Sequence, residues 1–201
     1  MARTVLYVHS SAGRYGADRQ LLAMAAGLDP DRFRAVAVLP EAGPLAGDLQ
    51  AAGVEVIVRP HLAVLRRALF TPWGLARVAG QLAPDRAALG RLAREREAVL
   101  VHANTSVCVG AYPGAAGARL PLAVSVREIY ADFARWWPLY RRLLLRADAL
   151  ACSSEPVRAQ FGASPRARLG PWSSRRPSSS AIACGSSASA TTWTPSTARR
   201  T

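Results

Sequence analysis

The polar residues with the clearest chemical potential stand in the stretch VHANTS, which follows an apolar run of the chain. His102 to Ser106 supply an imidazole, an amide and two hydroxyls in consecutive positions around one alanine. These groups suit a sugar or a phosphate better than a metal or a nucleophilic triad. A lone histidine that leaves an apolar run is also commonly a structural, hydrogen-bonded residue, so both interpretations of His102 stand at this point.

Charged groups follow two other apolar runs. Arg127 and Glu128 come directly after PLAVSV, and charges at the end of a buried strand need partners or solvent. They form either a surface salt bridge or the edge of a cleft that contacts a polar substrate. Ser154 and Glu155 follow DALACS, where capping of the next helix is the simpler role for a serine.

The first apolar run ends at His9 and leads into a loop with two glycines, Gly13 and Gly16. Glycines before a helix let the backbone approach an anion, and the amides at the helix N-terminus can bind that anion. The loop lacks the GxGxxG spacing of a dinucleotide-binding fingerprint. An ordinary turn between a strand and a helix explains the two glycines equally well.

These residues need a scaffold that brings them to one edge. Short apolar runs alternate with helical segments, and the runs show no polar–apolar alternation, so the strands are buried on both faces. The pattern predicts an α/β fold with a Rossmann-like doubly wound parallel sheet, whose ligands bind outside the carboxyl ends of the strands. The predicted strands are Thr4–Ser10, Phe33–Pro40, Val54–Pro60, Ala98–Ala103, Pro121–Val126 and Asp148–Ser154.

Two features of the predicted helices depend on local signals. Asn104 precedes a helical segment and is a plausible N-cap residue for it. Between Leu62 and Glu97 the composition is mostly helical, and Pro72 and Pro84 are expected to interrupt this segment.

The charge and the cysteines limit the classes of partner. All 26 basic residues are arginines, which is typical of a GC-rich coding sequence, and up to Glu155 only 19 arginines face 13 acidic residues. We therefore expect a solvated surface and no nucleic-acid partner. Cys108, Cys152 and Cys184 show neither paired nor metal-type spacing, which fits a reducing cytoplasm. We expect neither a secretory signal nor a membrane span.

Taken in order, five segments resemble the N-terminal domain of family 4 retaining glycosyltransferases, the glycosyl transferases group 1 enzymes. The segments are VLYVHSSAGRYGADRQLL, VAVLPEAGPLAGDLQAAGVEVIVRP, LVHANTSV, PLAVSVREI and ADALACSSEPVRAQFG, and together they cover residues 3–162. The resemblance implies the acceptor-side half of a GT-B fold, in which two Rossmann-like domains face each other across a cleft.

The resemblance also implies roles for individual residues. His102 matches the histidine beside the reacting sugar and is the expected catalytic residue. Three positions match the donor side of the family's site, namely Gly16, Ser154 and Glu155. Four positions are assigned to substrate binding, namely Gly13, Asn104, Arg127 and Glu128. The implied reaction moves a sugar, with retention, from a nucleotide-sugar donor to a glycan, lipid or small-molecule acceptor, without a metal or other cofactor.

The final residues do not fit this family. Its acidic donor-binding motif lies in a second domain, and this chain has no acidic residue after Glu155. We therefore expect a domain at residues 1–162, a disordered tail at residues 163–201 and no turnover from the chain as written. Codons that mostly end in G or C can be chosen for Ser180–Thr201. When they are read from the third base of each codon, they encode a peptide that resembles the family's second domain. The C-terminus is therefore interpreted as truncated and out of frame.

Alternatives remain open. The chain could be a non-catalytic Rossmann-like binding module or partner subunit, or a fragment of an NAD-type oxidoreductase, against which the glycine spacing counts. Two segments, AVLRRALFTPWGLARV and FARWWPLYRRLLLR, combine arginines with apolar and aromatic residues. They are either core-packed amphipathic helices or a peripheral contact with the inner face of the membrane.

Overall fold

The computed structural model of the chain describes residues 2–130 and 136–170, and within them it contains one parallel sheet of 7 strands. The strand order is β3-β2-β1-β4-β5-β6-β7. The direction of winding reverses between β1 and β4, which places a crevice between these two strands at their carboxyl ends. The strands are β1 (Arg3–Val8), β2 (Phe33–Leu39), β3 (Glu55–Val58), β4 (Ala98–Ala103), β5 (Leu122–Val126), β6 (Ala149–Cys152) and β7 (Ala167–Leu169).

Helices connect the strands and cover both faces of the sheet. They are α1 (Gly16–Ala26), α2 (Pro44–Ala51), α3 (Pro72–Glu95), α4 (Ala111–Ala118), α5 (Trp137–Leu144) and α6 (Glu155–Ala159), with a 3₁₀ turn at Arg67–Leu69. None of the helices in residues 2–130 and 136–170 is both long and apolar enough to cross a bilayer.

The core consists of two apolar layers, one on each face of the sheet. In β1, Leu6 and Val8 pack in the layer that contains α3 to α6, whereas Val5 and Tyr7 pack in the layer beneath α1 and α2. Burial of both faces explains why the strands have continuous apolar runs, and each fully buried aliphatic side chain stabilises the fold by roughly 1.5–3 kcal/mol. The predicted α/β parallel architecture is confirmed.

The sheet continues past the predicted domain end. The sequence places that end at Gly162, but β7 pairs in parallel with β6, with Leu150 opposite Ala167 and Cys152 opposite Leu169. A run of three residues is too short to show a periodicity, which is why the sequence gives no signal for β7. The predicted tail at residues 163–201 therefore begins inside the fold, and its remaining residues, 171–201, lie outside the described part of the chain.

Proline does not interrupt α3 as the sequence predicts. Pro72 occupies the first helical turn, where its missing N–H costs nothing, and the helix then continues through Pro84 to Glu95. An internal proline destabilises a helix by about 3 kcal/mol, so other contacts must offset this cost. Close packing on α4 supplies them, because a Cβ on Gly114 would lie only 2.7 Å from the Cβ of Leu89.

Candidate functional site at the carboxyl edge of the sheet

The loop after β1 is attached to the start of α1 by a buried histidine and a buried aspartate. His9 is fully buried, and its Nε2 lies 2.7 Å from Oδ1 of Asp18. Asp18 also accepts hydrogen bonds from the Ser11 hydroxyl at 2.6 Å and the Tyr15 amide at 2.8 Å. The carboxylate thus fixes the loop that contains Gly13 against the first turn of the helix.

Asn104 connects this loop to the residues after β5. Its Nδ2 donates to the Ala17 carbonyl at 3.0 Å and approaches His9 Nδ1 at 3.1 Å, and its Oδ1 accepts from Arg127 Nη2 at 2.9 Å. A carbonyl can only accept and a guanidinium can only donate. The orientation of the amide is therefore determined, His9 accepts at Nδ1, and His9 donates from Nε2 to Asp18.

The charges of this network follow from burial and hydrogen bonding. Burial lowers the pKa of His9 and outweighs the raising effect of Asp18, and the charge of Arg127 lowers this pKa further. Burial alone would raise the pKa of Asp18, but hydrogen bonds from Ser11, His9 and Tyr15 leave it below its ordinary value. Near neutral pH the network therefore pairs a neutral imidazole with an ionised carboxylate.

Arg127 is a half-buried cation held by neutral groups. Its guanidinium donates to the backbone and side-chain oxygens of Asn104, and its Nε donates to Oε1 of Gln20. Burial lowers its pKa, although an arginine remains protonated at every physiological pH. Within residues 2–130 and 136–170 it forms no ion pair with a carboxylate, so its charge is available to an anionic ligand.

Glu128 belongs to a separate hydrogen-bonded group on the same edge. The hydroxyls of Ser106 and Tyr130 each donate to its Oε2 at 3.3 Å. Gln160 donates to the Glu128 carbonyl at 2.9 Å and accepts from the Tyr130 amide at 3.1 Å. The exposed carboxylate of Glu128 is thereby held beside the crevice, where it can accept hydrogen bonds from hydroxyl groups.

His102 lies inside β4, one residue before its end. Its Nε2 is 2.9 Å from the hydroxyl oxygen of Ser125, and its ring lies against Tyr7 with ring centroids 5.3 Å apart. Burial, and then the charge of Arg127, lowers the pKa of His102 to about 4. The imidazole is therefore neutral at pH 7 and acts through hydrogen bonds, not as a cation.

This pKa predicts an acid-sensitive fold. The folded pKa of His102 lies below its unfolded value of about 6.5, so protonation favours the unfolded chain. The contribution of His102 is complete above pH 6.5 and is lost as the pH falls towards 4, by up to roughly 3 kcal/mol. His102→Gln, which keeps a hydrogen-bonding side chain near Ser125, should show a smaller loss between pH 7 and pH 4.5 in urea unfolding.

The exposed amide of Gln50, which does not titrate, provides the control for this measurement. Gln50→Leu should leave the pH dependence of the free energy of unfolding as it is in the wild type. If His102→Gln retains the full wild-type loss between pH 7 and pH 4.5, His102 is not the titrating group.

The structure brings some of the predicted site residues together. Asn104 and Arg127 are in direct contact, and Glu128 is the next residue after Arg127. Gly13 lies in the loop that is attached to this network, and Gly16 is the first residue of α1. A Cβ on Gly16 would meet no atom within 4 Å, so packing does not require glycine there and space is open beside the start of α1.

Within the described residues, Ser154 and Glu155 form no hydrogen bond with Asn104 or Arg127, although the neighbouring Ser153 hydroxyl donates to the Arg127 carbonyl at 3.5 Å. Ser154 is the N-cap residue of α6 without a capping hydrogen bond from its side chain, and Glu155 forms an ion pair with Arg158 on the same helix. The predicted N-cap role of Asn104 is wrong, because α4 begins only at Ala111 and its N-cap residue is Gly110. Asn104 is buried instead, since it bridges two strand ends.

Three residues of the site carry no clear signal in the sequence, namely Asp18, Gln20 and Tyr130. A carboxylate in the first turn is common at helix starts. The sequence therefore explains Asp18 as a residue that stabilises the start of α1 and does not indicate its bond to His9. Gln20 and Tyr130 acquire roles only through contacts with distant residues. In the described part of the chain no cluster of three or more histidine, cysteine or acidic side chains could hold a metal ion.

No protein-family model and no curated protein matches this chain. Solved structures match it in fold. HepE of Anabaena, crystallised in complex with UDP-glucose, gives a TM-score of 0.58 at 23% identity and covers 79% of this chain and 39% of HepE. MurG of Acinetobacter baumannii gives 0.54 at 10% identity, with 77% and 42% covered.

A third structure, UDP-GlcNAc 2-epimerase of Neisseria meningitidis bound to UDP-GlcNAc, gives a TM-score of 0.51 at 12% identity. It covers 79% of this chain and 42% of the epimerase. The chain thus spans less than half the length of each of these proteins. At such identities the likeness establishes a shared Rossmann-like α/β fold.

Proposed function

We propose that this chain is the N-terminal, acceptor-side domain of a GT-B glycosyltransferase that uses a nucleotide-sugar donor. The observation that carries the proposal is the contact between Asn104 and Arg127 at the β1–β4 crevice, beside the open start of α1. This arrangement presents one cation, several backbone amides and neutral hydrogen-bonding groups to a ligand. The shared fold with HepE, a protein crystallised with UDP-glucose, supports the same donor class.

The proposed chemistry needs stabilisation of a leaving phosphate. Arg127 and the amides at the N-terminus of α1 supply positive charge and hydrogen bonds where negative charge would develop. His102, neutral at pH 7, would hydrogen-bond the reacting sugar. Gly13, Asn104 and Glu128 would line the acceptor side of the cleft, and no metal is required.

The finer assignments rest on sequence resemblance. We propose membership of family 4, transfer with retention, and Gly16, Ser154 and Glu155 as donor-side residues. The acidic donor-binding motif expected in a second domain has no counterpart after Glu155, so the chain as written should show no turnover. We also propose that Ser180–Thr201 are translated out of frame. The genomic DNA tests this proposal, because the alternative frame must encode a second-domain peptide.

Binding to the full chain tests the proposed donor class. We expect UDP-glucose to shift the NMR signals of the Gly16 amide and the side-chain N–H signals of Arg127. NAD should leave these signals unchanged. Tight binding of NAD without a response to UDP-glucose would revive the oxidoreductase alternative, and a lack of response to any nucleotide sugar would overturn the proposal.

The substitution Gly16→Ala distinguishes a role of this residue in ligand binding from a role in the stability of the fold. Gly16→Ala meets no atom within 4 Å, so the free energy of unfolding should stay within about 1 kcal/mol of the wild type. A ligand that approaches the backbone there would collide with the new methyl group, so affinity for UDP-glucose should fall at least several-fold. Titration calorimetry and urea unfolding measure the two quantities.

Gly47→Ala in α2 is the matched control, because a Cβ there also meets nothing within 4 Å and α2 follows β2, which does not flank the crevice. In this variant the affinity for UDP-glucose should remain unchanged, and the free energy of unfolding should rise by no more than about 1 kcal/mol. Unaltered UDP-glucose affinity in Gly16→Ala would remove Gly16 from the site.

We also propose a peripheral contact with the cytoplasmic face of the membrane. Trp73 is 87% exposed and Leu139 is 65% exposed, and Leu139, Arg142 and Arg146 line one apolar groove. Aromatic and aliphatic side chains beside arginines suit the interface of anionic lipids. Trp73→Ser and Leu139→Ser should each reduce co-sedimentation with phosphatidylglycerol vesicles, and retention of full binding in both variants would contradict the contact.

A further inference from the structure

A second pocket opens on the carboxyl side of the sheet, outside the Asn104–Arg127 network. It lies between the residues that follow β2 and β3 and the first half of α3, and its volume is about 370 Å³. This volume lies within the range of small-molecule sites. The side chains used below are His61, Leu62, Val64, Arg66, Arg77 and Val78, all of which line it.

The polar side of this pocket is cationic. Arg66 and Arg77 both line it, together with His61, and none of its lining residues is acidic. Within residues 2–130 and 136–170 neither arginine forms an ion pair. Two guanidinium groups without a carboxylate partner create a local positive potential that attracts an anion.

The nearby buried carboxylate is already committed to other partners. Asp85 is fully buried, accepts from Arg59 Nε at 3.0 Å and accepts from the Ala63 amide at 2.7 Å. Its charge therefore compensates Arg59, and the charges of Arg66 and Arg77 are left for a ligand.

The pocket also has apolar lining residues. Leu62, Val64 and Val78 line it and are buried. Apolar side chains together with guanidinium groups suit a ligand that has a C–H-rich ring and one anionic substituent. A sugar acid or a sugar phosphate has this chemistry, since its ring packs on aliphatic side chains and its carboxylate or phosphate forms charge-assisted hydrogen bonds with arginine.

The pocket also adjoins the proposed reaction site. Nη2 of Arg66 points to the carbonyl oxygen of Ser10 at 3.5 Å, and the Ser10 hydroxyl accepts from Thr105 at 3.2 Å. Ser10 and Thr105 follow β1 and β4, the two strands that flank the crevice. A ligand held by Arg66 would therefore lie beside the crevice on its acceptor side.

We propose that this pocket binds the anionic substituent of the acceptor, so that the acceptor is a sugar acid or a sugar phosphate. This inference rests on the proposed function. It assigns Arg66 and Arg77 as specificity-determining residues for the acceptor.

The test uses the full chain and three probes: glucuronate, glucose 6-phosphate and glucose. Calorimetric or NMR titration should detect the two anions and at least tenfold weaker binding of glucose. Arg66→Gln and Arg77→Gln should each weaken binding of the anions by about tenfold, because each variant loses a hydrogen bond to a charged group. A rise in salt concentration should weaken binding in the wild type, since the two arginines are exposed.

Arg91→Gln is the matched control for a general loss of positive charge. Arg91 is on the same helix as Arg77, is 71% exposed, and lies near Glu95 instead of the pocket. Its substitution should leave anion binding unchanged. Equal weakening in Arg91→Gln and Arg77→Gln, or glucose binding as tight as that of the anions, would overturn the inference.

A parallel titration with UDP-glucose separates this inference from the proposed function. Arg66→Gln and Arg77→Gln should keep the wild-type response to UDP-glucose. A response to UDP-glucose without any binding of the anionic sugars defeats the acceptor assignment alone. Binding of the anionic sugars without any response to a nucleotide sugar defeats the proposed function, and the acceptor assignment with it.

Discussion

Asn104→Leu is expected to lower the free energy of unfolding by about 3–5 kcal/mol, because three polar groups lose their partner at once. The Ala17 carbonyl, His9 Nδ1 and the Arg127 guanidinium all bond to the Asn104 amide. Each buried polar group left without a partner costs about 1–3 kcal/mol. Urea unfolding at pH 7 measures the difference, and the midpoint of thermal unfolding should fall by roughly 10 °C.

Asn104→Leu should also impair ligand binding. The substitution removes one of the three hydrogen bonds that position the Arg127 guanidinium, so any surviving folded protein should bind UDP-glucose more weakly than the wild type does. Gln50→Leu, which replaces an exposed amide on α2, is the control and should change the free energy of unfolding by no more than about 0.5 kcal/mol. A loss below about 1 kcal/mol in Asn104→Leu would show that the network does not stabilise the fold.

Asp85→Ala is expected to destabilise the chain by about 3–5 kcal/mol, the usual cost of removing one partner from a buried ion pair. Asp85 is fully buried and the side chain of Arg59 is 25% exposed, so the substitution leaves a largely desolvated guanidinium without a counter-charge. The Ala63 amide also loses its acceptor. Asp85→Asn should cost less, because its side-chain oxygen still accepts a hydrogen bond.

An exposed ion pair provides the comparison for this prediction. Arg14 and Asp48 approach each other as closely, at 2.8 Å, but the side chain of Arg14 is 63% exposed. Solvent screens such pairs, so Asp48→Ala should lower the free energy of unfolding much less than Asp85→Ala does. Similar losses in Asp85→Ala and Asp48→Ala, measured by urea unfolding at pH 7, would mean that burial does not determine the strength of the Asp85 pair.

The burial of Asp85 also explains why residue 110 is a glycine. A Cβ on Gly110 would lie 2.0 Å from Oδ2 of Asp85, so the carboxylate occupies the space that a side chain at position 110 would need. The start of α4 is therefore held against α3 through one small residue and one buried charge. Neither GAYPG nor APDRA shows this contact in the sequence, because it joins segments that lie far apart along the chain.

The α/β class could be predicted from the residues alone, because each strand is buried on both faces and must therefore be apolar at consecutive positions. The sequence also shows that polar groups follow the strands, since the carboxyl edge of the sheet is where the backbone leaves the core. Asn104, Arg127 and Glu128 were recognisable as candidates for this reason. Signals of this kind are local, and they need only a short window of residues.

The contacts of those residues depend on the folded chain and could not be predicted from the sequence. In the folded chain α3 continues through Pro84 and β7 extends the sheet. Asn104, a predicted helix cap, instead bridges His9 and Arg127. The fold also gives Asp18 its role, through a bond to His9 that spans the whole β1–α1 loop. A buried polar group must form its hydrogen bonds with whichever partner the fold brings near. That partner is set by strand order and packing, which no local pattern of residues encodes.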